Sequence, residues 1–316
     1  MKALCCLLNY DKYCCPGVQA LQEYGFELKM NPHGRKYTQE ELLEDIKDVD
    51  AVIADNEPWT EMSFAGAPKL KVIAKVGTGM DNIDMEAAKR HGVVIASCTG
   101  VNAGSVAEHT IAHLLCAIRS LPKQVYSMLE GGWPRIITHE IAGRTLGILG
   151  FGNIGQAVAA KMTGFDVKII AWDQVPDYEK AAALGVEMKS FDEVISESDF
   201  ITVHVPVFPD TIHLLNDETI SRMKDGVCIV STARGEVADE AAVARGLASG
   251  KIGGFGTDVF ELEPPGLDRE LLQYDTYCCT PPITGDASEW TESVGQTAAK
   301  IIIDFFEGHI PVDRLL

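Results

Sequence analysis

The sequence predicts an α/β fold in two domains, and three features carry that reading. Short apolar runs of strand length alternate with helix-like segments across residues 1–98. A glycine-rich turn at Gly150–Gly155 stands between a buried strand and a helix and restarts the same alternation. The length of 316 residues accommodates two domains of ordinary size. Strands that alternate with helices call for a parallel sheet covered on both faces.

In order along the chain, Ala3–Leu8 is an apolar run of strand length, and Pro16-Gly17 opens a helix over Val18–Tyr24. The proline sits near the first turn, where its missing N–H costs nothing. Phe26–Met30 reads as a strand, Gln39–Lys47 as a polar helix and Ala51–Ala54 as a strand. Leu70–Val76 is the next strand, followed by a glycine-rich turn, a helix from about Asp84 to His91 and a strand at Val93–Ser97. Ser105-Val106-Ala107-Glu108 fits a capping box with Ser105 at the N-cap, which makes capping the expected role of Glu108. A long apolar helix follows to about Leu121, ended by Pro122. His109 and His113 lie one turn apart on it without a third ligand in sequence, so packing is their expected role. Thr145–Leu149 then reads as a buried strand, Gly150–Gly155 as a tight turn, Gln156–Thr163 as a helix and Val167–Trp172 as a second strand. Further strands are expected at Phe200–Val205, Val227–Ser231, Gly254–Asp258 and Thr276–Cys279. The last helix, Ser293–Glu307, is expected to cross back to the first domain.

Composition excludes several classes of function. Lys and Arg total 27 against 46 Asp and Glu, a formal net charge of −19, and the basic residues are scattered. Such a chain repels a polyanion, so no nucleic-acid partner is expected. No apolar run reaches the roughly 18 residues of a membrane span. The apolar start, Met1 to Leu8, is too short for a signal peptide and runs into Asn9-Tyr10-Asp11-Lys12. Nine cysteines, six of them in the adjacent pairs Cys5-Cys6, Cys14-Cys15 and Cys278-Cys279, then read as reduced thiols in the cytoplasm. No C-x-x-C occurs and no histidine lies near a pair, so no metal site is expected.

Gly150-Phe151-Gly152-Asn153-Ile154-Gly155 fits G-x-G-x-x-G in the context that gives the motif meaning, after a strand and opening a helix. Gly150 permits the tight turn, Gly152 lets a pyrophosphate approach the backbone, and Gly155 lets helix and strand pack closely. The helix N-terminus offers unpaired N–H groups to the phosphates. Asp173 ends the next strand eighteen residues after Gly155. A carboxylate there accepts from ribose hydroxyls and repels a 2′-phosphate, which predicts NAD rather than NADP.

Further motifs follow in order. They are Lys75-Val76-Gly77-Thr78-Gly79-Met80-Asp81-Asn82-Ile83-Asp84, Ser105-Val106-Ala107-Glu108-His109, Gly143-Arg144-Thr145-Leu146-Gly147 and Val203-His204-Val205-Pro206 with Thr211. Ser231-Thr232-Ala233-Arg234-Gly235 and Asp258-Val259-Phe260-Glu261-Leu262-Glu263-Pro264 complete them. Together they resemble the D-isomer-specific 2-hydroxyacid dehydrogenases, the family of phosphoglycerate, glycerate and formate dehydrogenases, over nearly the whole chain. The resemblance implies a Rossmann NAD-binding domain over residues 99–285 and a discontinuous flavodoxin-like substrate domain over residues 1–98 and 286–316. It also implies a small anionic substrate and a homodimer formed through the cofactor domain, with Trp133 at the dimer contact. By the same resemblance Arg234 grips the substrate carboxylate and polarises the 2-oxo group, a task for a planar fork of donors. Backbone N–H groups of Gly77, Thr78 and Gly79 hold the carboxylate's other side, and Lys75 either meets a distal anion or is a solvated lysine before the loop. Cofactor contacts fall to His204, Val205, Pro206, Thr211, Thr232, Ala233 and Asp258, with His204 as packing and Asp258 as acceptor for the nicotinamide carboxamide. Glu263 matches the glutamate that pairs with a catalytic histidine.

That histidine is absent. The family reads Thr-Pro-His where this chain has Thr280-Pro281-Pro282, and the eight histidines, at positions 33, 91, 109, 113, 139, 204, 213 and 309, cannot restore it by a register slip. Losing a general acid costs about 10²–10⁴ in rate. Three readings stay open: a dehydrogenase with another proton donor, an NAD-binding sensor, or a chemistry less demanding of proton transfer. Glu263, its pKa raised if buried, is the first candidate donor, and the others are Lys75, Asp286 and a bound water. Trp290, in the altered loop, is expected to narrow or reshape the pocket.

Overall fold

A computed structural model describes residues 1–77, 79–80, 82–266, 270–285 and 287–309. The chain divides into two compact units, Met1–Asn102 with Asp286–Leu316 and Ala103–Gly285. The first unit is built on five strands, β1 (Lys2–Cys5), β2 (Glu27–Met30), β3 (Ala51–Ala54), β4 (Val72–Lys75) and β5 (Val94–Ser97). All pairings are parallel and the order is β2-β1-β3-β4-β5. Every residue of β3 and β4 is buried, as both-face coverage of a parallel sheet requires.

Local signals set most boundaries here. β1 stops three residues short of the expected Leu8, because the chain turns at Asn9 (φ 54°) into a helical turn at Tyr10–Tyr13. The helix Cys15–Tyr24 carries Pro16 in its first turn and ends at Gly25 in the left-handed region. Thr38 and Glu41 form a reciprocal capping box for the helix Gln39–Asp45, and Asp84 accepts the Ala87 N–H at 2.9 Å to start Met85–Arg90. A six-residue helix at Glu61–Gly66 is too short to show a period in sequence.

The last helix, Ser288–Phe306, completes the first unit. Val294, Ala298, Ile301 and Ile302 enter its core with Cys5, Cys14 and Leu21. The Tyr10 hydroxyl donates to the Gly295 carbonyl at 2.9 Å, and the Cys14 thiol to the Thr291 carbonyl at 2.7 Å. Trp290 lies in the first turn of this helix, half-buried and packed against the same core, which corrects the expected loop position.

The second unit holds seven parallel strands: β6 (Thr145–Leu149), β7 (Lys168–Trp172), β8 (Glu187–Met188), β9 (Phe200–Val203), β10 (Val227–Ser231), β11 (Ile252–Thr257) and β12 (Tyr277–Cys279). Their order, β12-β11-β10-β9-β6-β7-β8, reverses direction between β6 and β9, the doubly wound arrangement whose ligand crevice opens at the strand carboxyl ends. The helix Ala103–Ile118 begins two residues before Ser105, so Ser105 is inside the helix and not its N-cap. Glu108 instead pairs with Lys161 at 2.7 Å. Pro122 does not end that helix; it sits in the first turn of the next, Leu121–Leu129, where proline is welcome.

All nine cysteines are free thiols. Burial pushes the Cys5 and Cys6 thiols well above the usual range and Cys278 up to about 12, which makes them core residues rather than nucleophiles. Trp290→Ala should cost about 1–3 kcal/mol in chemical denaturation, less than a fully buried tryptophan, with most of the loss restored by Trp290→Phe.

Candidate functional site

The glycine loop is shaped by close approach. Gly150 has φ +95°, and a Cβ there would lie 2.7 Å from the His204 carbonyl carbon. A Cβ on Gly155 would lie 2.2 Å from the Gly150 oxygen. Gly152 differs, since its side-chain position faces open space. The helix Asn153–Met162 starts inside the motif, three residues before the expected Gln156, with extended Gly152 as N-cap. The first-turn N–H groups of Asn153, Ile154 and Gly155 therefore stand beside the space that Gly152 keeps clear. Asp173, just after β7, accepts the Phe151 N–H at 2.6 Å through Oδ2 and the Val175 N–H at 2.9 Å through Oδ1. Its carboxylate is thereby fixed to the loop.

Beyond β9, the His204 N–H donates to the Leu149 carbonyl at 2.7 Å. Both ring nitrogens are buried without a partner among the described residues, and burial pushes the imidazole down to about 3. A neutral, enclosed ring is a packing element. Val205 is buried and Pro206 exposed. The Thr211 hydroxyl accepts the Phe208 N–H at 2.7 Å and lies 2.6 Å from the Pro206 carbonyl, so it closes the loop. The Thr232 hydroxyl meets that of Thr110 at 3.0 Å.

Arg234 follows β10 and donates from Nη1 to the Ala233 carbonyl at 2.8 Å. Gly235 brings it against the segment after β11, for a Cβ there would fall 2.0 Å from the Phe260 oxygen. Asp258 begins that segment and is 3% exposed. Its Oδ2 accepts the Thr284 N–H at 3.2 Å, while Oδ1 has no partner among the described residues. Burial pushes this carboxyl up to about 6, with the Glu263 charge adding and Arg234 and backbone N–H groups opposing. Glu263 itself is exposed and accepts the Phe260 N–H at 3.3 Å. The burial on which an acid role for Glu263 depended is absent, and the buried carboxyl is Asp258.

Thr280, two residues before Pro282, is held by the histidine pair. Its hydroxyl lies 3.1 Å from His109 Nε2 and 3.3 Å from His113 Nε2, and the rings meet edge-on with centroids 4.6 Å apart. Burial first, then His109, pushes His113 down to about 4. The i,i+4 spacing pointed to the pair but not to a partner 167 residues away. Among the described residues no group of three or more His, Cys, Asp or Glu side chains could hold a metal ion. No helix among the described residues is long and apolar enough to cross a membrane.

In the first unit, Lys75 ends β4, is 2% exposed and donates from Nζ to the Val76 carbonyl at 2.7 Å, which corrects the solvated-lysine expectation. Gly77 takes φ +83°, and its carbonyl accepts the Ser97 hydroxyl at 2.8 Å. Gly79 lies close beyond, half-buried; Thr78, Asp81 and Asp286 lie outside the described residues. Glu57 belongs to none of the motifs singled out in the sequence. It is 1% exposed, with Oε2 accepting the Asp55 N–H at 2.8 Å and Oε1 unpartnered among the described residues.

These features fit a dinucleotide. The open side of Gly152 and the helix N–H groups suit a pyrophosphate, Asp173 suits a ribose diol, and the orphan Oδ1 of Asp258 suits an amide N–H. Residues 111–283 match the D-isomer specific 2-hydroxyacid dehydrogenase, NAD binding domain. The chain is 39% identical over 285 residues to a hydroxypyruvate reductase of Thermotoga maritima, covering 87% of this chain and 92% of that protein. It is 36% identical over 278 residues to a D-3-phosphoglycerate dehydrogenase of Archaeoglobus fulgidus, covering 87% of this chain and 53% of the relative. The chain thus spans about half the length of the phosphoglycerate dehydrogenases it matches. A crystal structure of D-lactate dehydrogenase from Aquifex aeolicus, complexed with NAD and lactic acid, matches with TM-score 0.85 at 27% identity, over 100% of this chain and 99% of that one.

The histidine pair generates a pH prediction. His113 has its folded pKa below the ordinary value, so its contribution to stability is whole above about pH 6.5 and is lost as pH falls toward about 4. Urea unfolding at pH 7 and 4.5 should show the loss, and His113→Asn should shrink the pH difference by about 2–3 kcal/mol.

Proposed function

The chain belongs to the D-isomer specific 2-hydroxyacid dehydrogenase family, and from that premise we propose reversible hydride transfer between NAD and a small anionic 2-hydroxy or 2-oxo acid. The observation that carries the reading is that Arg234 and Asp258 follow the neighbouring strands β10 and β11, on the sheet edge that also carries the Gly150–Gly155 loop. NAD, when bound, supplies or accepts the hydride. Asp173 selects the unphosphorylated ribose, and the N–H groups of Asn153, Ile154 and Gly155 receive the pyrophosphate. Val205, Pro206, Thr211, Thr232 and Ala233 shape the cofactor's bed, and His204 packs beneath it. Asp258 Oδ1 accepts from the carboxamide.

Arg234 binds the substrate carboxylate and draws electron density from the 2-oxo carbon, which lowers the barrier to attack. In the first unit, Gly77, Thr78 and Gly79 are the proposed backbone donors to that carboxylate, with Lys75 behind them. Pro282 has no proton to give, so the donor is a group other than the family histidine. Glu263, exposed but close enough to raise Asp258, assists through its charge. The free thiols suit a reducing compartment, the cytoplasm.

A homodimer through the cofactor domain is supported by an apolar surface around the helix Leu121–Leu129, which buries no residue. Tyr126, Leu129, Trp133 and Ile137 are 68%, 77%, 81% and 98% exposed. Such a surface calls for a cover.

With NADH and a panel containing hydroxypyruvate, glyoxylate and pyruvate, at least one member should be reduced, read as loss of NADH absorbance. Arg234→Gln should lower kcat/KM by about 10²–10³. NADH binding without turnover on any member would sink the enzyme reading in favour of an NAD-binding sensor. Sedimentation should give twice the chain mass, and Leu129→Glu should shift it toward the monomer; a monomeric wild type rules out the dimer.

A further inference from the structure

We infer that Glu57 and Lys75 form a polar subsite in the first unit that receives a neutral hydroxyl on C3 of the substrate and turns away a phosphate or second carboxylate there. The inference rests on the dehydrogenase reading above and deepens it by naming a substrate class. The order β2-β1-β3-β4-β5 reverses direction between β1 and β3. In an open parallel sheet a ligand lies outside the strand carboxyl ends at such a point. Glu57 follows β3 at that end, three residues after Ala54, and Lys75 is the last residue of β4, paired in register with Ala54. Cys6, the first residue after β1, is near enough that the Glu57 charge adds to burial in raising its thiol. The carboxyl group therefore stands where the strand order turns.

The loop that carries Glu57 is bolted to the one that follows β4. Asn82 Nδ2 donates to the Glu57 carbonyl at 2.6 Å and to the Asp55 carbonyl at 3.2 Å. The Trp59 N–H donates to the Asn82 carbonyl at 2.7 Å, and the Asp84 N–H to the Trp59 carbonyl at 2.8 Å. Glu57 thus shares one frame with the loop that holds the proposed backbone donors to the substrate carboxylate. Its side chain is 1% exposed; Oε2 accepts the Asp55 N–H at 2.8 Å, and Oε1 is unpartnered among the described residues. A buried acceptor without a donor is costly, and a ligand hydroxyl supplies one. Charge separates the possible ligands. The Lys75 ammonium already acts on the Glu57 carboxyl, and Asp55 beside it carries the same sign as Glu57. A phosphate adds about two negative charges beside this poorly solvated carboxylate, and a second carboxylate adds one. A hydroxyl adds none, donates to Oε1 and keeps lone pairs for an ammonium.

Ratios of kcat/KM between substrates test the subsite, because any loss of folded protein cancels from them. With NADH, the wild type should prefer hydroxypyruvate to pyruvate by about 10²-fold or more. It should prefer hydroxypyruvate to 3-phosphohydroxypyruvate by about the same factor. Glu57→Gln keeps the shape and removes the charge, and it should raise the phosphorylated acid against hydroxypyruvate about tenfold or more. Glu57→Ala removes the acceptor, and it should bring hydroxypyruvate within about tenfold of pyruvate. A wild type that prefers pyruvate or the phosphorylated acid, or a preference that either variant leaves unmoved, overturns the inference and leaves the dehydrogenase reading standing. A wild type that reduces no 2-oxo acid overturns both.

Discussion

One row of paired residues in the second unit fixes everything that follows it. Leu149 lies opposite Val203, Val203 opposite Ser231, Ser231 opposite Thr257 and Thr257 opposite Cys279. Because the strands are parallel, each of these residues is the last of its strand, and the loops that leave them emerge on one edge. Gly150, His204, Thr232, Asp258 and Thr280 are the next residues in sequence. A slip of one residue in any pairing would send that strand's side chains to the opposite face and its loop out of step. The positions of Arg234 and Asp258 thus derive from backbone hydrogen bonding in the buried sheet, well before any side chain makes a contact of its own.

That dependence explains what could be read in advance. The strands at Ala51–Ala54, Thr145–Leu149 and Val227–Ser231 coincide with their expected limits, because unbroken apolar runs bounded by turn residues leave little choice. Gly150, Gly152, Gly155 and Asp173 were legible as a constellation because their spacing is a local property of one strand, one turn and one helix. Ser105 was misread because a serine three residues before a glutamate looks the same whether the chain enters a helix there or is already in one. Packing of Ala103 and Val106 decides between the two, and packing is not a local signal. Pro122 was misread for a related reason, since a proline that stops one helix and one that starts the next differ only in what precedes them.

The carboxylates were harder still. Glu263 and Asp258 belong to one short motif, and nothing in it says which is enclosed. The answer comes from Thr284, in a loop that returns from β12 and presents its N–H to Asp258 from 26 residues away. Pro282 is the proposed departure in sequence, while the buried carboxyl, Asp258, has an environment assembled from β10, β11 and the loop after β12. Burying an acid while leaving one oxygen unpaired is costly in a finished fold. In a site that receives a ligand, the same unpaired oxygen is what the ligand completes.

The return of the helix Ser288–Phe306 to the first unit has a consequence for how the protein is made. Strands β1 to β5 leave the ribosome before the second unit, yet Val294, Ala298, Ile301 and Ile302, which pack into their core, are synthesised after all of it. The second unit is contiguous and can complete its core in passing. The first waits with an apolar face open to water for the time taken to translate residues 103–285, on the order of ten to forty seconds. During that interval the nascent chain is part finished protein and part client, and the strands made before the second unit become safe after it.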